Sequence, residues 1–80
     1  MVILQDIRNT VISLIADQLS IPKESIKEQD SLEKLGADSL DRAELIMKFE
    51  ETFDIAMDDE HADALVTVGQ FIDYVKSLRK

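Results

Sequence analysis

The residues with the most chemical potential are Gly36-Ala37-Asp38-Ser39-Leu40-Asp41, which put one serine where a turn gives way to a strongly helical segment running toward Phe53. Gly36 permits backbone angles that other residues resist, so the turn can be sharp. A helix N-terminus directs unpaired N–H groups and the positive end of its dipole outward, and a hydroxyl at that end is open to solvent. Such a place suits a phosphate ester on Ser39. Ser and Asp are also favoured helix caps, and such a string taken alone is most often just an ordinary helix start.

Catalysis by Ser39 would need a base. The lone histidine, His61, falls in an acidic segment, and residues 36–40 lack the second glycine of a Gly-x-Ser-x-Gly nucleophile elbow. The chain therefore reads as non-catalytic. One imidazole and no cysteine are too few for a transition-metal site. The acids between Asp54 and Asp63 fail the EF-hand pattern, because Asp59 stands where the loop needs glycine. No metal site is expected beyond weak divalent-ion binding by clustered carboxylates. Without cysteine the chain has neither disulfides nor a thiol, so thioester chemistry would require sulfur from an attached group.

Four helical elements must position this serine. Leu4, Ile7, Val11, Leu14, Ile15 and Leu19 follow steps of three and four, which put one apolar stripe on a long first helix. Ser20, Pro22 and mixed charges to Lys34 form a long connection with room for a helical turn, pinned to the core by Ile21, Ile26, Leu32 and Leu35. The second helix runs from about Ser39 to Phe53, and a short third one from about Asp59 to Ala64 follows a turn. Thr67-Val68-Gly69-Gln70 fits a capping box at the head of the last helix, whose apolar side is Val68, Phe71, Ile72, Val75 and Leu78. Arg79 and Lys80 suit the negative end of that helix. No strand is expected. The fold class is all-α, a small bundle of three main helices and one short helix, with a long loop between the first two.

At 80 residues the chain is expected to form one domain over 1–80, which can bury only about 60% of its unfolded surface. A core that thin leaves little room for an enclosed active site. The apolar start Val2-Ile3-Leu4 stops at Gln5-Asp6, short of a signal-peptide core or a membrane span, so a cytoplasmic protein without membrane insertion is expected. The net charge of −8 is wholly contained between Asp38 and Asp63, where ten acids meet only Arg42 and Lys48. Charge concentrated beside Ser39 points to basic partners and away from nucleic acid.

The second helix carries two apolar faces. Leu45, Ile46, Phe49 and Phe53 fall in an arc of roughly 100° that suits the core. Leu40, Ala43 and Met47 lie on the far side among Glu44, Glu50 and Glu51. Apolar residues ringed by carboxylates form a face that a partner can approach by charge and hold by burial, and methionine adapts to several partners.

From about Val11 to Tyr74 the chain resembles the acyl carrier proteins. The likeness rests on Ile15-Ala16-Asp17-Gln18-Leu19, Leu32 seven residues before Ser39, Asp38-Ser39-Leu40, Phe53-Asp54 and Thr67-Val68. The resemblance implies a free-standing carrier with 4′-phosphopantetheine esterified to Ser39. A phosphopantetheinyl transferase would attach it from coenzyme A with Mg²⁺, and the arm's thiol would hold acyl groups for enzymes of fatty-acid synthesis or a related pathway. It further implies partner binding through Asp38, Leu40, Asp41, Glu44, Met47, Glu50, Glu51 and Glu60, on a monomer. In the family the acyl chain can slip between the helices, and Leu14, Leu32, Leu45, Ile46, Phe49, Leu65 and Val68 offer a lining for it.

The chain departs from the family pattern at Met57-Asp58, where Ile-Pro is common, and at Arg42, where a small or apolar residue is usual. Lys48 interrupts the acidic face, and Lys34 replaces a common acid. These leave open a specialised polyketide or peptidyl carrier. An acidic helical adaptor that never bears an arm is the reading from a different class.

Overall fold

The computed structural model describes residues 4–78. Helix α1 is Leu4–Leu19, α2 is Ser39–Phe53, α3 is Asp59–Ala64 and α4 is Val68–Leu78, with a 3₁₀ turn at Lys23–Ser25 inside the long connection. The all-α expectation holds, and the bounds of α2 and α3 coincide with those anticipated. Arg79 and Lys80, together with Val2 and Ile3, lie outside the described residues, as does the Leu4 side chain.

The core sits where α1 meets α2 and α4. It is built from Ile7, Val11, Ile12, Ile15 and Ala16 of α1, Leu45, Phe49 and Phe53 of α2, and Val68, Phe71, Ile72 and Val75 of α4. Phe49 and Phe71 meet at 5.7 Å between ring centroids. The α1 stripe is broader than expected, for Ile12 and Ala16 are buried while Leu14 and Leu19 only flank the core. Ile46 likewise sits at the core's edge.

Helices α1 and α2 each end on a left-handed residue, Ser20 at φ 57° and Asp54 at φ 54°. The next amides turn back to the helix, Ile21 N–H to Ala16 O and Ile55 N–H to Glu50 O, each at 3.1 Å. These are Schellman-type stops that satisfy otherwise unpaired carbonyls.

The long connection is fastened to the head of α4. Val68 N–H donates to Asp30 O at 2.9 Å, Gly69 N–H to Glu28 O at 2.8 Å, and Leu32 N–H to Val66 O at 3.1 Å, around an isolated antiparallel bridge between Ser31 and Thr67. The capping box is present: Gln70 N–H reaches Thr67 Oγ1 at 3.2 Å, and Gln70 Oε1 accepts Thr67 N–H at 3.0 Å. The first three amides of α4 therefore all have partners, two of them supplied by the loop. Ile26 and Leu32 are buried and Ile21 and Leu35 pack against the core, so the four anticipated pins are in place. No helix among the described residues is long and apolar enough to cross a membrane.

Candidate functional site

Residues 31–37 wind tightly before Ser39. Leu35 N–H donates to Leu32 O, Gly36 N–H to Glu33 O and Ala37 N–H to Leu32 O. Gly36 lies at φ 102°, and a Cβ there would meet nothing within 4 Å, so its backbone angle, and not space, calls for glycine. Asp38 then caps α2. Its Oδ1 accepts Asp41 N–H at 2.9 Å while Asp41 Oδ2 accepts Asp38 N–H at 3.3 Å, a reciprocal capping box. Ser39 is the first residue of the helix and is exposed. The dipole and the amides of the first turn are thus directed toward the side where its hydroxyl stands.

Two open grooves meet at Ser39. One, of about 380 Å³, is bordered by Leu32, Glu33, Ala37, Asp38 and Arg42. The other, of about 560 Å³, runs between α2 and α3 along Arg42, Ala43, Ile46, Met47, Ala62 and Asp63. The first groove mixes Leu32 and Ala37 with Glu33 and Asp38, whereas the second is mainly apolar apart from Arg42 and Asp63. The interior lining expected from Leu14, Leu32, Leu45, Ile46, Phe49, Leu65 and Val68 is not a cavity. Leu32, Leu45, Phe49 and Val68 are fully packed, and Leu14, Ile46 and Leu65 flank them.

The eight residues expected to bind partners occupy different settings. Leu40 is 67% exposed and Met47 59%, and Asp38, Glu44, Glu51 and Glu60 are exposed. Asp41 is half-buried and tied to α1, because Gln18 Nε2 donates to Asp41 Oδ1 at 3.1 Å and to Glu44 Oε1 at 2.7 Å. These bonds, from Gln18 first and the Asp38 amide next, hold the Asp41 carboxyl below its ordinary pKa. Lys48, which breaks the run of acids, donates to Gln18 Oε1 at 2.7 Å. Glu50 is half-buried on the α3 side, where its Oε2 accepts Met57 N–H at 2.9 Å.

That contact explains how α3 begins without the proline common in the family. Met57 is buried and its amide is held by Glu50, while Asp58 caps α3 through Glu60 N–H at 3.1 Å. The Glu60 amide, and then His61 Nδ1 at 3.1 Å, keep the Asp58 carboxyl below its usual pKa. His61 is a surface residue, stacked on Tyr74 at 5.6 Å.

Three contributors were not anticipated. Asp30 is buried, accepts Lys27 N–H at 3.0 Å and Lys34 Nζ at 3.1 Å, and anchors the turn ahead of the site. Gln18 orders the carboxylates of α2. Arg42 joins α2 to α3, and its helical position, midway between those of Phe49 and Phe53, was the signal for an inward-facing side chain.

Residues 9–75 match the family described as "Phosphopantetheine attachment site". The chain is 51% identical over 65 residues to an acyl carrier protein of Clostridium acetobutylicum, an alignment covering 80% of this chain and 84% of that one. Its fold is similar to the crystal structure of an acyl carrier protein from Thermotoga maritima, with a TM-score of 0.80 at 24% identity over 94% of this chain and 88% of that one. It is also similar to the HMG-ACPI domain of the CurA module from Lyngbya majuscula, with a TM-score of 0.81 at 19% identity over 96% and 79% of the two chains. With the fold and the matched segment in agreement, the chain belongs to the acyl carrier proteins, non-catalytic carriers that bear 4′-phosphopantetheine and work with a phosphopantetheinyl transferase and acyl-handling enzymes.

Proposed function

We propose that Ser39 is the residue that bears the arm. The observation that carries this reading is the exposure of Ser39 as the first residue of α2, at the junction of two grooves and inside the family-matched segment. In loading, the Ser39 oxygen bonds to the phosphorus that carries pantetheine in coenzyme A. The pyrophosphate P–O bond breaks, adenosine 3′,5′-bisphosphate leaves, and the hydroxyl proton passes to a base on the transferase. The first turn of α2 favours the negative phosphodiester that results. When bound, the arm supplies the thiol on which acyl groups are held as thioesters.

Recognition falls to the outer face of α2. Leu40 and Met47 provide apolar area, and Asp38, Glu44 and Glu51 provide steering charge, extended by Glu60 on α3. Asp41 and Glu50 add to the field while their carboxylates serve internal bonds. Partners with basic surfaces fit this face. The cargo is placed in fatty-acid synthesis or a related acyl pathway, and the protein is read as a cytoplasmic monomer with one domain over 1–80.

Intact mass tests the reading. Incubation with coenzyme A, Mg²⁺ and a broad-range phosphopantetheinyl transferase is expected to add one phosphopantetheine, and Ser39→Ala to add none. A wild-type protein that stays bare would leave only the acidic docking module.

A further inference from the structure

Position 42 belongs to the inward-facing arc of α2, at about 100° per residue falling between Phe49 and Phe53, both buried. It nevertheless holds an arginine. Arg42 Nη2 donates to the backbone oxygens of Ala62 and Leu65, and the guanidinium lies over the Phe71 ring at 5.4 Å from its centroid. Those two carbonyls lie at the end of α3, where Ala62 O also accepts Leu65 N–H at 3.2 Å and the helix dipole favours a cation. One side chain of α2 therefore closes the end of α3 and packs on α4 at once.

The same arginine borders both grooves that meet at Ser39. Directly inward are Leu45, Phe49 and Phe71, which have no exposed surface. A chain attached at Ser39 cannot reach them along the α2–α3 seam without displacing the guanidinium. Doing so breaks two charge-assisted hydrogen bonds and a cation–π contact, and sets an aliphatic chain against a cation. Helix α3 has only six residues, and its approach is fastened to α2 by Ile55 N–H on Glu50 O and Met57 N–H on Glu50 Oε2, so α3 is the side on which the seam would open.

We propose that Arg42 is a latch on the α2–α3 seam that determines which cargo is sheltered. Latched, the protein keeps an acyl group in the outer groove beside Ala43, Ile46 and Met47, and gives long aliphatic chains no added protection over short ones. This proposal rests on the reading of Ser39 as the attachment residue. Arg42 is a specificity-determining residue here and touches no reacting atom.

The test loads wild type, Arg42→Ala and Arg42→Lys from amide analogues of acetyl-, octanoyl- and palmitoyl-coenzyme A, with Mg²⁺ and the broad-range transferase, and checks each product by intact mass. Melting temperature and the methyl NMR shifts of Leu45, Val68 and Ile72 are then compared across chain lengths. Wild type is expected to show no dependence on length. Arg42→Ala is expected to gain about 4–8 °C from acetyl to palmitoyl, with moving core methyls, as a chain that binds only the folded state would give. Arg42→Lys, whose ammonium can donate to the same carbonyls but lacks the planar guanidinium that lies over Phe71, is expected to fall between, and serves alone if Arg42→Ala does not fold. A wild type as length-sensitive as the variants overturns the latch, and so do variants as indifferent as wild type. Failure of every protein to gain mass refutes the Ser39 assignment itself, and the latch with it, before any melting curve is recorded.

Discussion

The amide of Gly69 donates to the carbonyl oxygen of Glu28 at 2.8 Å, and a Cβ at position 69 would stand 3.2 Å from that same oxygen. The head of α4 is thereby held against the loop that leads through Leu32 to the turn before Ser39. Any side chain at 69 pushes on the atom its own amide binds. Gly69→Val is expected to lower stability by about 1–3 kcal/mol, the usual range for overpacking. Gly69→Ala is expected to cost less, because alanine's helical preference offsets part of the contact. Urea unfolding of the two variants checks the order, and a Gly69→Val protein as stable as wild type contradicts it.

Asp30 links stability to acid. The Lys27 amide, and after it the Lys34 ammonium, hold its carboxyl below the ordinary 3.8. A carboxyl with a depressed folded-state pKa binds its proton more readily when unfolded. Its contribution is therefore complete above the ordinary value and is lost as the pH falls through the depressed one. Asp41 and Asp58 act in the same direction. Relief of the −8 net charge opposes the loss but is nearly the same in a single variant. Asp30→Asn is expected to melt lower than wild type at about pH 6 and to approach it at about pH 3. Parallel melting curves across that window would exclude the linkage.

The helices could be read from the chain because their apolar residues recur at helical spacing and their caps are local. Ser39 to Phe53, Asp59 to Ala64 and the Thr67–Gln70 box all follow from residues three or four apart. The contacts that remained hidden join groups distant in sequence. Asp30 and Glu28 meet α4 through backbone oxygens, which leave no trace in side-chain type. Gln18 reaches Asp41, Glu44 and Lys48 only once α1 and α2 are packed. Glu50 falls by helical spacing on the outer face with Glu44 and Glu51, and its bond to the Met57 amide exists only once the approach to α3 is folded against α2. The setting of Ser39 at the head of α2 was legible because a glycine, a capping Asp and the start of a helical run coincide there.

Glu44 and Glu50 are expected to separate recognition from folding. Glu44 is exposed with one bond to Gln18, whereas Glu50 holds the Met57 amide at the approach to α3. Glu44→Lys is expected to weaken binding to a basic acyl-transfer enzyme, most clearly at low salt, while shifting stability by less than about 0.5 kcal/mol. Glu50→Ala is expected to lose about 1 kcal/mol of stability from the missing hydrogen bond. Affinity by calorimetry at two salt concentrations, beside thermal melts, distinguishes them. Equal effects of both variants on melting would remove the division of labour.

Asp54 ends α2 at φ 54° and ψ 54°, a left-handed conformation that suits glycine better than a residue with a Cβ. Its carboxylate also sits at the negative end of the α2 dipole, within an already acidic stretch. Both effects favour replacement, and only the greater freedom of an unfolded glycine opposes it. Asp54→Gly is expected to raise stability by about 1 kcal/mol, or about 4–8 °C in a domain of this size. Ser39 lies at the opposite end of the helix, so loading by the transferase should proceed at the wild-type rate. A melting temperature at or below that of wild type would show that the Asp54 side chain makes a compensating contribution to the end of α2.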